Sequence, residues 1–226
     1  GFDPVTHADR NAEAAIRALI SQEFPEHGIL GEEFGDKKPS VSGDDFCWFI
    51  DPIDGTRAFI SGMATWGTLI ALSQNGVPVL GIMDQPYVGE RFYAMRGAVT
   101  LHMRAGKSTP MTTRACPTLE QATAVTTGPE FLASPGASAA WSEISTSARL
   151  IRYGGDCYNY ALLAAGFVDI VIEEGLNPYD IQALIPIVEQ AGGVVTDWQG
   201  GPAHEGGQVV ACGDAGLHAE LLSRLP

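Results

Sequence analysis

The sequence predicts an α/β (α+β layered) protein with an antiparallel sheet in its first half and a largely parallel sheet in its second. Three observations predict this. The apolar stretches 67–73, 77–84 and 90–95 follow one another through short turns, which joins neighbouring strands antiparallel. Beyond residue 118, strand-like stretches alternate with helical ones, and that alternation gives parallel pairing. Between them, residues 111–118 are a run of Thr, Ala and Pro that marks a boundary. The expected division is an α+β lobe over 1–115 and an α/β lobe over 116–226.

Each element has its local reason. Residues 1–5 open extended, and Thr6 or Asp9 caps a helix in which Ile16, Leu19 and Ile20 share a face until Pro25 and Gly28 end it. A short strand from Gly28 runs into Glu32 and Glu33, and a polar loop fills 36–45. Trp48-Phe49-Ile50 ends a buried strand that Pro52 stops, because proline cannot donate to a ladder. One helical turn follows Thr56. The pair 67–73 and 77–84 forms a hairpin on Asn75-Gly76. In the second half, strands are expected over 122–127, 150–153, 168–173, 194–197 and 208–211. Helices are expected around 139–141, over 157–165 up to Gly166, as one long apolar helix over 181–190, and over 218–225.

Composition narrows the function classes. The chain has 226 residues and a net charge of −14, which argues against nucleic acid or anionic membrane as a partner and suits cations or a cationic substrate. It equally suits simple solubility. Cys47, Cys116, Cys157 and Cys212 form no Cys-x-x-Cys pair, so reduced thiols in a cytoplasmic protein are expected. No stretch is long and apolar enough to span a bilayer.

The chemistry-bearing feature is a set of acids at element ends. Asp51 and Asp54 leave one tight turn together and are followed by Gly55-Thr56, where a backbone can approach a ligand and a helix start can receive a phosphate. On those two residues alone, an Asp-rich turn with no ligand is the commoner reading. Asp9, Glu32 and Asp180 also stand at element ends. Gathered in one volume, these carboxylates would repel strongly without divalent cations, and oxygen-only donors suit Mg²⁺ over Zn²⁺.

Glu32-Glu33 after a glycine, Asp51-Pro-Ile-Asp-Gly-Thr56, and Tyr179-Asp180 before an apolar helix resemble the inositol monophosphatase family, and the segment from Asp3 to Asp9 is similar to its first signature. The resemblance implies an αβαβα sandwich, two or three Mg²⁺ ions, a homodimer and phosphomonoester hydrolysis. It implies that Glu32 and Asp51 with the Ile53 carbonyl hold a first ion, and that Asp51, Asp54 and Asp180 hold a second. A third ion would sit near Glu32 through water. Thr56, hydrogen-bonded to Asp9, would deprotonate the attacking water; Asp54 and the N–H groups of Gly55 and Thr56 would hold the phosphate. His7 is expected to be solvated.

Gly154-Gly155-Asp156-Cys157-Tyr158-Asn159-Tyr160 and the stretch from Glu173 to Asp180 look like the histidinol-phosphatase branch. Histidinol phosphate carries an ammonium and an imidazole, for which Asp156 and Glu173 would supply charged acceptors, with Asn159 a weaker third contact. A helix N-cap is the other use of Asp156. An inositol or sugar phosphate is the alternative substrate, and a metal- or phosphate-binding regulator the alternative class. The resemblance places about two further helices before the first motif. The connections after Asp36 and over 95–107 depart from the family pattern.

Overall fold

A computed structural model describes residues 6–39 and 45–226. The expected extended opening over residues 1–5, with the start of the first signature, and residues 40–44 of the polar loop lie outside the described residues. Helix α1 (His7–Glu23) begins at a capping box in which Thr6 Oγ1 accepts from the Ala8 and Asp9 N–H groups and the Asp9 carboxylate accepts from the Thr6 N–H at 2.8 Å. Ile16 and Ile20, four apart, pack over Ile29, Trp48 and Ile50. Leu19 was expected beside them but is 64% exposed, because the stripe that α1 buries is narrow.

The first sheet contains β1 (Gly28–Gly31), β2 (Gly35–Lys37), β3 (Phe46–Asp54), β4 (Gly67–Gln74), β5 (Val77–Gln85), β6 (Glu90–Met95), β7 (Leu101–Arg104) and β8 (Lys107–Pro110), with the short helix α2 (Thr56–Ile60) between β3 and β4. Their order is β2-β1-β3-β4-β5-β6-β7-β8, antiparallel except where β1 runs parallel to β3. Two sequence expectations change. The loop after Gly35 begins as an edge strand, and the poorly fitting 95–107 connection leads into the β7–β8 hairpin. Nor does β3 stop at Pro52. It continues to Asp54 through a bulge: Asp51 faces Leu69 and Asp54 faces Gly67, three steps against two. The bulge absorbs the missing proline donor without ending the strand.

The second half contributes β9 (Thr123–Thr126), α3 (Pro135–Ser147), β10 (Leu150–Tyr153), α4 (Tyr158–Ala164), β11 (Ile170–Leu176), α5 (Pro178–Ile181), α6 (Leu184–Glu189), β12 (Val194–Asp197), β13 (Gly207–Cys212) and α7 (Ala215–Leu222). The sheet order is β10-β9-β11-β13-β12. Parallel pairing holds across β10, β9 and β11; β13 joins β11 and β12 antiparallel, so this sheet is mixed rather than largely parallel. The long helix expected over 181–190 is broken into α5 and α6. Pro186 has no N–H for the Gln182 carbonyl and its ring would strike that carbonyl, so the helix cannot run through. The last helix starts earlier than expected because Asp214 accepts from the Gly216 and Leu217 N–H groups.

Alternation along the strands shows five layers. Val171, Val209 and Ala211 face inward with Leu69, Ala71 and Met83 of the first sheet, and α4 and α6 fill the space between. Ile170, Ile172, Val210 and Cys212 face outward under α3 and α7. With α1 on the far side of the first sheet, the sequence of layers is αβαβα. At Gly81 an added Cβ would lie 2.0 Å from the Ala183 carbonyl oxygen, so the α5–α6 corner rests directly on β5. Gly81→Ala should therefore destabilise the fold by about 1–3 kcal/mol in urea denaturation. An unchanged midpoint and slope would show that the corner is not seated this way.

Candidate active site

Four acids meet at one end of β1 and β3. Asp51 is 2% exposed, and its Oδ1 accepts from the Ile53 N–H at 3.0 Å. The bulge then swings Asp54 round to the same side. Asp180 enters from the other half of the chain. It is the third residue of α5, fixed by a capping box in which Asp180 Oδ2 accepts from the Asn177 N–H at 2.7 Å. Asp51, Asp54 and Asp180 each offer a carboxylate oxygen within 4.8 Å of the others. Glu32 follows Gly31, which pairs with Ile50, so it stands beside Asp51. Its Oε2 is buried without a hydrogen-bond partner.

This crowding sets the electrostatics. Burial first, then the carboxylates of Asp54, Glu32 and Asp180, push the Asp51 carboxyl well above its ordinary range. Burial with Asp156 and Asp180 does the same to Asp54, against the lowering effect of the Cys157 hydrogen bond. Burial, then Asp180, raises Glu32 to about 7. A group of oxygen donors this close, one of them buried and unpartnered, fits a hard divalent cation, which would supply the positive charge the protein does not place there.

The acids form one wall of a cavity of about 480 Å³. Gly55 sits at φ +81° against Asp156, whose Cγ lies 2.9 Å from where a Cβ would be. Asp156 is not the helix cap. The Cys157 N–H that opens α4 donates instead to Asp54 Oδ2 at 2.7 Å, across the two halves of the chain. Asp156 faces the cavity within 3.5 Å of Thr65 Oγ1. Burial, partly offset by Thr65 and Arg57, raises it to about 6. Glu173 also lines the cavity, anchored as it accepts from the Thr127 N–H at 2.8 Å and the Thr127 hydroxyl at 3.0 Å; burial raises it to about 7.

Two expected placements differ. Asn159 does not line the cavity: its amide fills the space beside Gly155, with Oδ1 1.9 Å from a Cβ position there. The Thr56 hydroxyl donates to the Ile53 carbonyl at 3.1 Å, and Asp9 serves the cap of α1; no hydrogen bond joins Thr56 to Asp9 among the described residues. The tight turn after Asp54 brings the Ile53 carbonyl within reach, whereas Asp9 lies on a separate helix. Asp9 is still close enough for its charge to raise Glu32 and Glu33. His7 is exposed, as expected.

Sequence reasoning missed several cavity residues: Thr127, Tyr160, and Arg57 stacked 4.7 Å above the Phe131 ring. The Tyr160 hydroxyl is buried without a partner. Thr127 had one signal. It ends a strand beside Glu173, and sheet ends commonly line ligand crevices. Tyr160 had only its place at the end of the Gly154–Tyr160 stretch that carries the resemblance.

Glu32, Glu173 and Asp156 each bind a proton more tightly folded than unfolded. Between the ordinary carboxylate range and about 7 the native state therefore holds more protons, and stability falls as pH rises. In chelator, Tm should decline from about pH 4.5 to about pH 7.5, and excess Mg²⁺ should flatten or reverse that slope. A Tm that rises with pH in chelator would contradict the geometry.

The chain matches the family model described as the inositol monophosphatase family over residues 2–225. It is 45% identical to the bifunctional phosphatase IMPL2, chloroplastic, of Arabidopsis thaliana; the match covers 99% of this chain and 66% of that protein, so the chain spans slightly under two-thirds of it. It is 41% identical to a histidinol-phosphatase of Chlorobaculum parvum, over 87% of this chain and 73% of that one. A solved inositol monophosphatase from Zymomonas mobilis superposes with a TM-score of 0.86 at 43% identity, covering 99% of this chain and 87% of that one. Sequence and fold agree over nearly the whole length, and the chain belongs to the inositol monophosphatase family.

Proposed function

We propose that this chain is a Mg²⁺-dependent phosphomonoester hydrolase acting on L-histidinol phosphate, and that it serves histidine biosynthesis in the cytoplasm. The observation that carries the hydrolase reading is Asp180, brought from the second half of the chain to within 4.8 Å of Asp51 and Asp54. Two or three bound Mg²⁺ ions would neutralise the charge that develops on the attacking, leaving and phosphoryl oxygens. Glu32, Asp51, Asp54, Asp180 and the Ile53 carbonyl are the proposed holders.

The remaining work falls to this chain's own groups. With its proton committed to the Ile53 carbonyl, Thr56 Oγ1 keeps lone pairs with which to accept from, and so orient, the attacking water. Glu32 and the buried Asp9 are the nearby carboxylates to take up the released proton. Asp54 and the N–H groups of Gly55 and Thr56 border the phosphate position. On this reading residues 1–115 supply every metal ligand except Asp180, and 116–226 supply Asp180 together with the selectivity residues, in a homodimer without nucleic acid or membrane partners.

Substrate preference rests on the charge of the selective wall. Asp156 and Glu173 face the cavity beyond the metal ligands, and Glu130 and Glu174 also line it. Such a wall suits an ester that carries an ammonium and an imidazole. The name of the Chlorobaculum relative supports this choice, whereas that of the Zymomonas structure favours an inositol or related sugar phosphate. A regulator that binds metal or phosphate without turnover is the remaining reading.

Phosphate release should depend on Mg²⁺ and proceed faster on histidinol phosphate than on inositol 1-phosphate. A tenfold preference for the inositol ester would overturn the substrate, and turnover of neither would leave the regulator. Asp156→Asn should lower kcat/KM for histidinol phosphate about tenfold while changing hydrolysis of a small aryl phosphate far less. Equal losses on both would make Asp156 structural.

A further inference from the structure

The acids of the metal cluster and of the selective wall all line the cavity. Another, Glu13 on α1, is 0% exposed and lies behind it. Glu13 Oε2 accepts from the Glu33 N–H at 2.7 Å, and Oε1 accepts from the Phe34 N–H at 3.3 Å and from Arg17 Nε at 2.6 Å. The Arg17 guanidinium also donates to the Gly35 carbonyl. One turn earlier on α1, Arg10 pairs with Glu33 at 3.3 Å. A single helix face therefore grips the turn after β1 through its backbone.

The residue this grip surrounds is Glu32. Its own N–H donates to the Ile50 carbonyl at 3.2 Å, so β3 holds the turn on one side and Glu13 holds the next two N–H groups on the other. With its backbone fixed at both ends, Glu32 has little freedom except to project toward Asp51. Room for the device comes from Gly31, where a Cβ would lie 2.1 Å from Glu13 Oε1. A carboxylate buried at 0% exposure is costly unless charges and donors compensate it, and here Arg17 and two backbone donors do so.

We infer that Glu13 is a positioning residue: by clamping the Glu33 and Phe34 N–H groups it aims Glu32 at the carboxylate cluster and sets the site's affinity for divalent cations. This rests on the proposed metal role of Glu32. Glu13 touches neither cation nor substrate, so it governs the affinity of the site and not its turnover once loaded. Supporting groups behind metal ligands commonly contribute about 10–100-fold in affinity.

Calorimetric titration of Mg²⁺ into the full chain tests this. Glu13→Gln should weaken Mg²⁺ binding about tenfold, keep the chelator Tm within a few degrees, and leave kcat at saturating Mg²⁺ within about twofold. In a Glu32→Gln background the same substitution should cause no further loss of affinity, because its effect passes through Glu32. A folded Glu13→Gln protein with wild-type Mg²⁺ affinity, or losses that add in the double variant, overturns the inference. Wild-type protein that binds no Mg²⁺ overturns the metal reading itself and the inference with it. If Glu13→Gln does not fold, Gly31→Ala, which displaces the carboxylate from the opposite side, should give the same loss; unchanged affinity there overturns the inference equally.

Discussion

Mutual repulsion among Asp51, Asp54, Asp180 and Glu32 is the constraint around which the rest of the molecule is arranged. Burial first, and then like charges close by, destabilise whatever holds these acids together, and the raised carboxyls of Glu32, Asp51 and Asp54 express that cost. A protein keeps such a cluster only where the surrounding structure over-determines it. Here each acid has a separate anchor. Asp51 is tied to the Ile53 N–H, Asp54 to the Cys157 N–H, Asp180 to the Asn177 N–H, and the turn bearing Glu32 to Ile50 and Glu13. The anchors are mostly backbone donors, which favour the charged form and do not move with side-chain rotamers.

The departures from regular structure sit close to these anchors. Without the bulge at Pro52, Asp51 and Asp54 would follow strict strand alternation, and three residues apart they would point to opposite faces. Without the break before α6, the helix carrying Asp180 would be continuous, and the Gln182–Ala183 corner could not settle on Gly81. Both breaks come from proline, used once in a strand and once in a helix; the first brings Asp54 round to the side of Asp51, and the second seats the corner that follows Asp180. The cross-chain bond from Cys157 to Asp54 then ties the orientation of α4 to the first sheet, so the metal wall and the selective wall are held in one register.

Much of this was legible in the sequence, for identifiable reasons. The acids at element ends could be found because each follows an apolar run or opens a helix, and local patterning places such residues at the rim of a layer. Convergence of Asp180 with Asp51 could not be read from spacing; it came from family resemblance, since 128 residues of topology intervene. The positions that failed are those where tertiary packing overrides local preference. Pro52 reads as a strand stop until β4 supplies a partner with one fewer residue. Asp156 reads as a cap until Asp54 takes that place. The hydroxyl of Thr56 finds a carbonyl three residues back instead of a side chain on another helix. The mixed second sheet was missed because a sequence gives the order of its strands but not the direction in which β13 enters between β11 and β12.

The two walls of the cavity carry the same sign of charge but answer to different partners. On the metal wall the acids lie within 4.8 Å of one another and can be compensated together by a small, multiply charged ion. On the selective wall Asp156 and Glu173 stand outside that group of three, each bonded to its own threonine, although Asp156 is near enough for its charge to raise Asp54. A positive charge on the substrate itself, at some distance from its phosphate, could satisfy them. Raised carboxyls at about 6 and about 7 make this selection conditional, because in the absence of a cation part of that wall is already protonated near neutral pH. A cationic ester would draw those protons off on binding, whereas a neutral polyol would leave them in place. On the proposed reading, the same residues would admit either kind of phosphate while rewarding only one of them with charge.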